Sequence, residues 1–289
     1  MMVEALVYFF VPALVGVLIG VASGLLGIGG GTVMVPIFRL AFGMSATMST
    51  ATSLFAIIPT SISGAISHVK GKTCIPALGI AAGLGGACLS PVGVWLAQLS
   101  PDWLVMLAAA IIIGYSAINM FKKAFKIPRA GQPAVGADAA AATPSLTSSG
   151  EPAVSAPTAD DSSLSRKQLL QGAAIGLVAG LASGYVGVGG GFIMVPLMLS
   201  IIGIPMRKAS GTSLIAVMIL AIPGVIEQGI IGNINYLAGI AIVIGTIPGA
   251  VIGARLVTKV PERTLRLLFG CFLIVAAVML VLNEVGIFG

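Results

Sequence analysis

Along this chain, long apolar runs alternate with short polar stretches. Ten apolar segments stand out, at about 3–26, 32–44, 49–67, 75–98 and 103–121, and again at about 168–186, 192–203, 212–229, 236–257 and 264–282. Most reach the roughly 20 residues that a helix needs to cross a bilayer core. Barrel strands would alternate apolar and polar side chains, and these runs do not. Lipid cannot satisfy an open backbone, which leaves helices as the spanning element. The second and seventh segments are too short to span comfortably, and three glycines precede each. A short helix entered that way is either re-entrant or half of a broken helix. The pattern predicts an all-α polytopic membrane protein of roughly 8–10 membrane segments.

The segments fall into two sets of five because the chain contains itself twice. Gly20-Val-Ala-Ser-Gly-Leu-Leu-Gly-Ile-Gly-Gly-Gly-Thr-Val-Met-Val-Pro36 matches Gly180-Leu-Ala-Ser-Gly-Tyr-Val-Gly-Val-Gly-Gly-Gly-Phe-Ile-Met-Val-Pro196 at an offset of 160 residues. The same offset pairs Thr52-Ser53-Leu54 with Thr212-Ser213-Leu214, Gly64 with Gly224, Gly93 with Gly253 and Pro101 with Pro261. Chance similarity between apolar segments would not hold one register across glycines, prolines and hydroxyls. Residues 1–126 and 166–289 are therefore read as two homologous transmembrane repeats. Between them, 127–165 is rich in Ala, Pro, Ser, Thr, Gly and Asp without an apolar period. Such a stretch cannot repay its ordering entropy, and a disordered cytoplasmic linker is expected.

Basic residues suggest how the repeats lie. Lys122, Lys123, Lys126 and Arg129 open the linker and Arg166 and Lys167 close it, which favours the cytoplasm. In the first repeat the 67–74 loop carries His68, Lys70 and Lys72, and the 99–102 loop only Asp102. In the second the bias reverses: Glu227 marks the 227–235 loop, whereas Arg255, Lys259, Arg263 and Arg266 crowd 255–266. Corresponding loops facing opposite sides would be an inverted-topology repeat. A broken helix joining the first two segments would instead make the repeats parallel.

Composition agrees with a lipid-solvated chain: 289 residues, 57% hydrophobic, 8% charged, mean hydropathy +1.11. The formal net charge of +6 does not call for nucleic acid, because the cations sit in short loops between apolar runs. Cys74, Cys88 and Cys271 stand far apart and support neither a disulfide framework nor a metal site. The apolar N-terminus lacks a basic leader region, carries Glu4 and recurs in the second repeat, so it reads as mature protein.

Candidate chemistry is concentrated in the glycine turns. At Gly29, Gly30 and Gly31, and at Gly189, Gly190 and Gly191, backbone N–H groups can approach a ligand with no β-carbon in the way. A helix beginning there aims its unpaired N–H groups and positive dipole end at the same spot. Close helix packing is the competing reading, since Gly16, Gly20 and Gly24, like Gly176, Gly180 and Gly184, form small-xxx-small stripes. Thr50, Thr52 and Ser53, with Ser210, Thr212 and Ser213, open the third segment of each repeat. Their hydroxyls suit either donation to an oxyanion or bonds back to helix carbonyls. No Asp or Glu falls mid-segment, so an intramembrane carboxylate relay is not evident. One histidine, His68, reads as an interfacial residue or a pH sensor; Glu227 reads as a loop-end residue. No catalytic, metal-binding or cofactor-binding constellation is apparent.

The paired GxxGxGGG-x-x-x-x-P segments at Gly24–Pro36 and Gly184–Pro196 resemble the sulfite exporter TauE/SafE family, also called the toluene-sulfonate uptake permease family. The likeness covers both repeats. It implies a bacterial inner-membrane, multi-pass permease for sulfite, sulfonates or other small organic anions. The sequence reading is thus a secondary transporter working by alternating access, with substrate held by the glycine turns and by Thr52, Ser53, Thr212 and Ser213. An anion channel is the first alternative; a membrane-embedded enzyme or assembly factor is a weaker one. Partners are a small anion and membrane lipid, with a coupling proton compatible, a homodimer allowed and nucleic acid not expected.

Overall fold

The computed structural model describes residues 2–125 and 165–284, with side chains characterised over 12–122, 124–125 and 165–281. All regular structure there is helical. Repeat one comprises α1 (Met2–Leu26), α2 (Gly31–Phe42), α3 (Ala46–Lys70), α4 (Pro76–Leu99) and α5 (Asp102–Phe125). Repeat two comprises α6 (Arg166–Val186), α7 (Gly191–Leu197) with a π-helical continuation over Met198–Ile202, α8 (Met206–Ile231), α9 (Tyr236–Leu256) and α10 (Glu262–Glu284). Apart from Ser165, the expected linker lies outside the described residues. Ser165 forms a capping box with Gln168 at the start of α6.

Among the described residues, seven helices (α3, α4, α5, α6, α8, α9 and α10) are long and apolar enough to cross a membrane. Helix α1 matches them in length, at 25 residues. The 12 residues of α2 extend only about 18 Å at 1.5 Å per residue, short of a bilayer core of about 30 Å. Large apolar side chains such as Leu14, Trp95, Ile111, Leu170 and Ile230 cover the outside, whereas Ser, Thr and glycine concentrate within. That distribution suits lipid as the solvent.

The repeats interlock. Helix α1 packs along α9 and α6 along α4, so the first helix of each repeat lies on the fourth helix of the other. Helices α3 and α8 pair with each other, as do α5 and α10. Glycine stripes make the closest of these contacts. Gly249 of α9 lies so near α1 that a β-carbon would sit 3.0 Å from the Gly20 Cα, and one at Gly24 would collide with the Ala250 carbonyl. Gly184 stands in the same relation to Ser90 of α4. Without a hydrophobic drive between helices in lipid, such backbone-to-backbone packing is what holds them.

Polar end contacts follow the same offset. Asp102 at the start of α5 accepts from the Ala46 N–H at 3.2 Å, and Glu262 at the start of α10 accepts from the Met206 N–H at 3.3 Å. Each places a carboxylate at the positive end of the third helix of its own repeat. Where the repeats differ, a local cause is visible. Both second helices carry a proline, Pro36 and Pro196, but only α7 continues as a π-helix; there the Ser200 hydroxyl donates to the Pro196 carbonyl at 2.6 Å, a bond that Leu40 at the equivalent position of α2 cannot make.

Candidate functional site

The two glycine turns meet at the centre of the molecule. A β-carbon on Gly31 would lie 2.7 Å from the Val188 carbonyl oxygen, and one on Gly191 would lie 2.5 Å from the Gly27 carbonyl oxygen. Both turns are closed over by the same pair of side chains, Ile57 of α3 and Val217 of α8, which are equivalent in the two repeats. Every residue from Ser23 to Thr32 and from Val186 to Phe192 is buried.

The turns are entered through left-handed backbone. Gly30 caps α2 with φ 85° and Gly190 caps α7 with φ 68°, a region where a side chain is strained. Neither cap carries a side-chain hydrogen bond. Bonds into the cap begin with Val33 and Met34 to Gly30 O in α2, and with Ile193 and Met194 to Gly190 O in α7. Earlier N–H groups of each first turn point out of the helix start, as helix geometry requires. In the second turn one of these is occupied, since the Gly191 N–H donates to the Gly189 carbonyl at 2.8 Å.

The structure brings the hydroxyl residues expected at the site up to these turns, but their oxygens already have partners within the protein. Ser53 donates across the repeats to the Gly187 carbonyl at 2.9 Å, and Ser213 donates to the Gly27 carbonyl at 2.6 Å. Thr50 reaches the Val186 carbonyl at 3.4 Å. Thr212 donates to Lys208 O and accepts from the Ile75 N–H at 2.9 Å; Thr52 accepts from the Asn235 N–H at 3.0 Å. These side chains lash each repeat's third helix to the other repeat, which positions the glycine turns.

Other hydroxyls beside the turns are without a partner among the described residues. Ser23, Thr32, Ser61 and Ser183 are each fully buried, and their oxygens make no hydrogen bond. Ser61 Oγ lies 3.5 Å from the β-carbon position of Gly29, and Ser23 Cβ lies 3.6 Å from that of Gly30. Thr32 occupies the first turn of α2. A buried hydroxyl without a partner is costly, and several around one turn suit a ligand that supplies acceptors. Ser23 and Ser183 were visible as a repeated residue of the glycine motif; Thr32 and Ser61 have no polar counterpart in the second repeat and gave no repeat signal.

Two polar residues lie elsewhere than expected. His68, read as interfacial, is fully buried in the last turn of α3. Its Nε2 is 2.8 Å from the Gly24 carbonyl oxygen and its Nδ1 is 2.7 Å from Thr73 Oγ1. Glu227, read as a loop-end residue, lies within α8, which runs to Ile231.

A bundle of membrane-spanning helices enclosing two facing helix starts defines a polytopic membrane protein. The model of the sulfite exporter TauE/SafE family matches residues 12–280, and the chain belongs to that family. It is 26% identical over 289 residues to Probable membrane transporter protein YunE of Bacillus subtilis (strain 168), covering 97% of this chain and 99% of that one. Probable membrane transporter protein YdhB of the same organism is 26% identical over 254 residues, 88% of this chain and 92% of YdhB. A Probable membrane transporter protein of Haemophilus influenzae is 28% identical over 290 residues, 93% of this chain and 97% of its own. No solved structure matches the chain at a significant level. The protein is a membrane transporter of the TauE/SafE family.

Proposed function

We propose that this protein is a secondary transporter, not an enzyme, that carries sulfite, sulfonates or related small organic anions across a bacterial inner membrane by alternating access. The observation that carries this reading is the meeting of two helix-starting glycine turns beside buried hydroxyls without partners. An oxyanion there would be held by backbone N–H groups of Gly29–Gly31 and of Gly189 and Gly190, with Gly191 closing the second turn, and by the hydroxyls of Thr32 and Ser61. Thr52, Ser53, Thr212 and Ser213 would keep those donors in place. Burial of both turns favours a state closed to either side, as a carrier requires and an open channel does not.

In the same reading the two repeats are inverted, with α2 and α7 ending inside the membrane. The swapped loop charges support this. Proteoliposomes loaded with sulfite, sulfate, thiosulfate, sulfonates or small carboxylates test the function. Saturable uptake accelerated by counterflow of one of these anions is expected; non-saturating flux without counterflow contradicts a carrier. For topology, a reporter at Gly289 is expected outside the cytoplasm and one near Ser145 inside it. Both on the same side would contradict inversion.

A further inference from the structure

The two repeats place a polar pair at equivalent positions, and only one of the pairs can titrate. In repeat one the pair is His68 with Thr73, bridging to the Gly24 carbonyl. At the 160-residue offset stand Gln228, Asn233 and Gly184. Gln228 accepts from the Asn233 amide at 2.8 Å, but its own Nε2 is buried without a partner, so the link to the glycine motif is missing. The surroundings differ in the same sense. Beside Thr73 an open cavity of about 320 Å³ is lined by Ser67, Lys70, Arg255 and Thr258. The corresponding residues of the other repeat are Glu227, Ile230, Trp95 and Gln98.

Hydrogen-bond chemistry fixes the tautomer of His68. A carbonyl oxygen only accepts, so Nε2 carries the hydrogen and donates to Gly24 O. In the neutral ring Nδ1 then accepts from the Thr73 hydroxyl. Protonation reverses that bond: Nδ1–H donates to Thr73 Oγ1, and the threonine hydrogen turns to the His68 carbonyl, 3.3 Å away. Both protonation states leave both ring nitrogens paired. A route is available because Thr73 lines the cavity: a hydronium ion there gives a proton to Thr73 Oγ1 and is left as water, as the threonine passes its own hydrogen to Nδ1. Proton number is conserved at each transfer.

The imidazolium lacks a counter-charge. The charged and titratable groups on the elements packed around it are Lys70 on α3, Lys72 in the following loop, Arg207 and Lys208 on α8, Arg255 on α9, Lys259 just beyond it, and the thiol of Cys74. Helix α4 carries none, and α1 carries only Glu4 and Tyr8, which lie 16 or more residues along the helix from Gly24 and hence at least about 24 Å away. The carboxylate on α8, Glu227, is 16 residues along from Gly211, the residue against the ring, hence about 24 Å away. An anion in the cavity supplies the missing charge, while Lys70 and Arg255 attract it there.

We propose that His68 is a proton-binding site linked to anion occupancy of the Lys70/Arg255 cavity, so that anion and proton load together at this mouth of the transporter. Linkage is reciprocal, and each favours the binding of the other. The Gly24 bond ties the protonated ring to the first glycine turn, while Gln228, at the equivalent position of the other repeat, cannot take up a proton. This proposal rests on the anion-transport reading.

Full-length protein without a histidine tag tests it, because the chain has a single histidine. Methanesulfonate is the probe, since it stays an anion across the whole pH range. With ¹⁵N-histidine label, the ring is expected to show the Nε2–H tautomer at high pH. At a pH within its titration, methanesulfonate should convert that signal toward imidazolium. Calorimetry in two buffers of different ionisation enthalpy should give about one proton taken up per anion. Affinity should fall about tenfold per pH unit once the ring is neutral, as a one-proton linkage requires. His68→Gln, which copies the other repeat, should bind with a flat pH profile and no proton uptake. A ring signal unchanged by pH and anion while methanesulfonate binds overturns the proposal and leaves the transport reading standing. Unaltered proton uptake in His68→Gln overturns it likewise. Failure to bind methanesulfonate at any pH contradicts sulfonate transport and the linkage together.

Discussion

The two glycine turns share a backbone but not an environment. Around the first stand Thr32 and Ser61, buried and without partners; at the same positions around the second stand Phe192 and Ala221. Ser23 and Ser183 remain common to both. Even the backbone differs in one respect, since the second turn folds the Gly191 N–H onto Gly189. The repeats share the glycine-started helices and differ in the side chains packed around them. The first turn has the more polar surroundings and the second the more apolar ones. The same asymmetry recurs at the mouths, where His68, Lys70 and Arg255 face Gln228, Ile230 and Trp95 across the offset.

Three sets of variants sharpen or break that comparison. The largest effect is expected where the turns press on each other. Gly31→Val and Gly191→Val each drive a side chain into backbone of the opposite turn, which cannot swing aside. Both should abolish recovery of folded protein in size-exclusion chromatography. Tolerance of one but not the other would show that the turns are not structurally equivalent.

Next come the partnerless hydroxyls. Thr32→Val and Ser61→Ala should each weaken anion binding by the loss of one hydrogen bond to a charged group. That loss is about 1.5–3 kcal/mol, or roughly 10- to 150-fold. Neither should lower the melting temperature, because an unsatisfied buried oxygen is removed. Ala221→Ser, which restores symmetry at the second turn, should leave affinity nearly unchanged; a large gain would make the second turn an equal partner.

The smallest effect belongs to the struts. Ser53→Ala and Ser213→Ala each delete one bond between repeats, about 0.6 kcal/mol for a hydrogen bond between membrane helices. A small drop in thermal stability with affinity within about twofold is expected. A large loss of affinity would return these hydroxyls to the anion.

Helix order and limits were legible because apolar run length is a local property. Helix α3 shows where that stops. Its pattern suggested about 49–67, yet it runs from Ala46 to Lys70. The extra residues, 46–48 and 68–70, break the apolar run with Thr47, His68 and Lys70 and are held at one end by Ser45 and Asp102 and at the other by the buried His68. The glycine turns were legible because two copies of one motif were present. Which hydroxyl is free was not: Thr32 and Thr52 look alike in sequence. Only the approach of the Asn235 N–H, 183 residues away, distinguishes the strut from the candidate ligand. His68 was misplaced for the same reason, since its burial depends on Gly24 of another helix.

The most direct test of the central claim compares two double variants, Thr32→Val/Ser61→Ala and Ser53→Ala/Ser213→Ala, for sulfite affinity and melting temperature in detergent. With the anion held at the glycine turns by otherwise unpartnered donors, the first pair loses at least about tenfold in affinity at an undiminished melting temperature. The second pair melts earlier and binds nearly as wild type. The opposite result, with the first pair binding normally and the second losing the anion while still folded, would contradict the account.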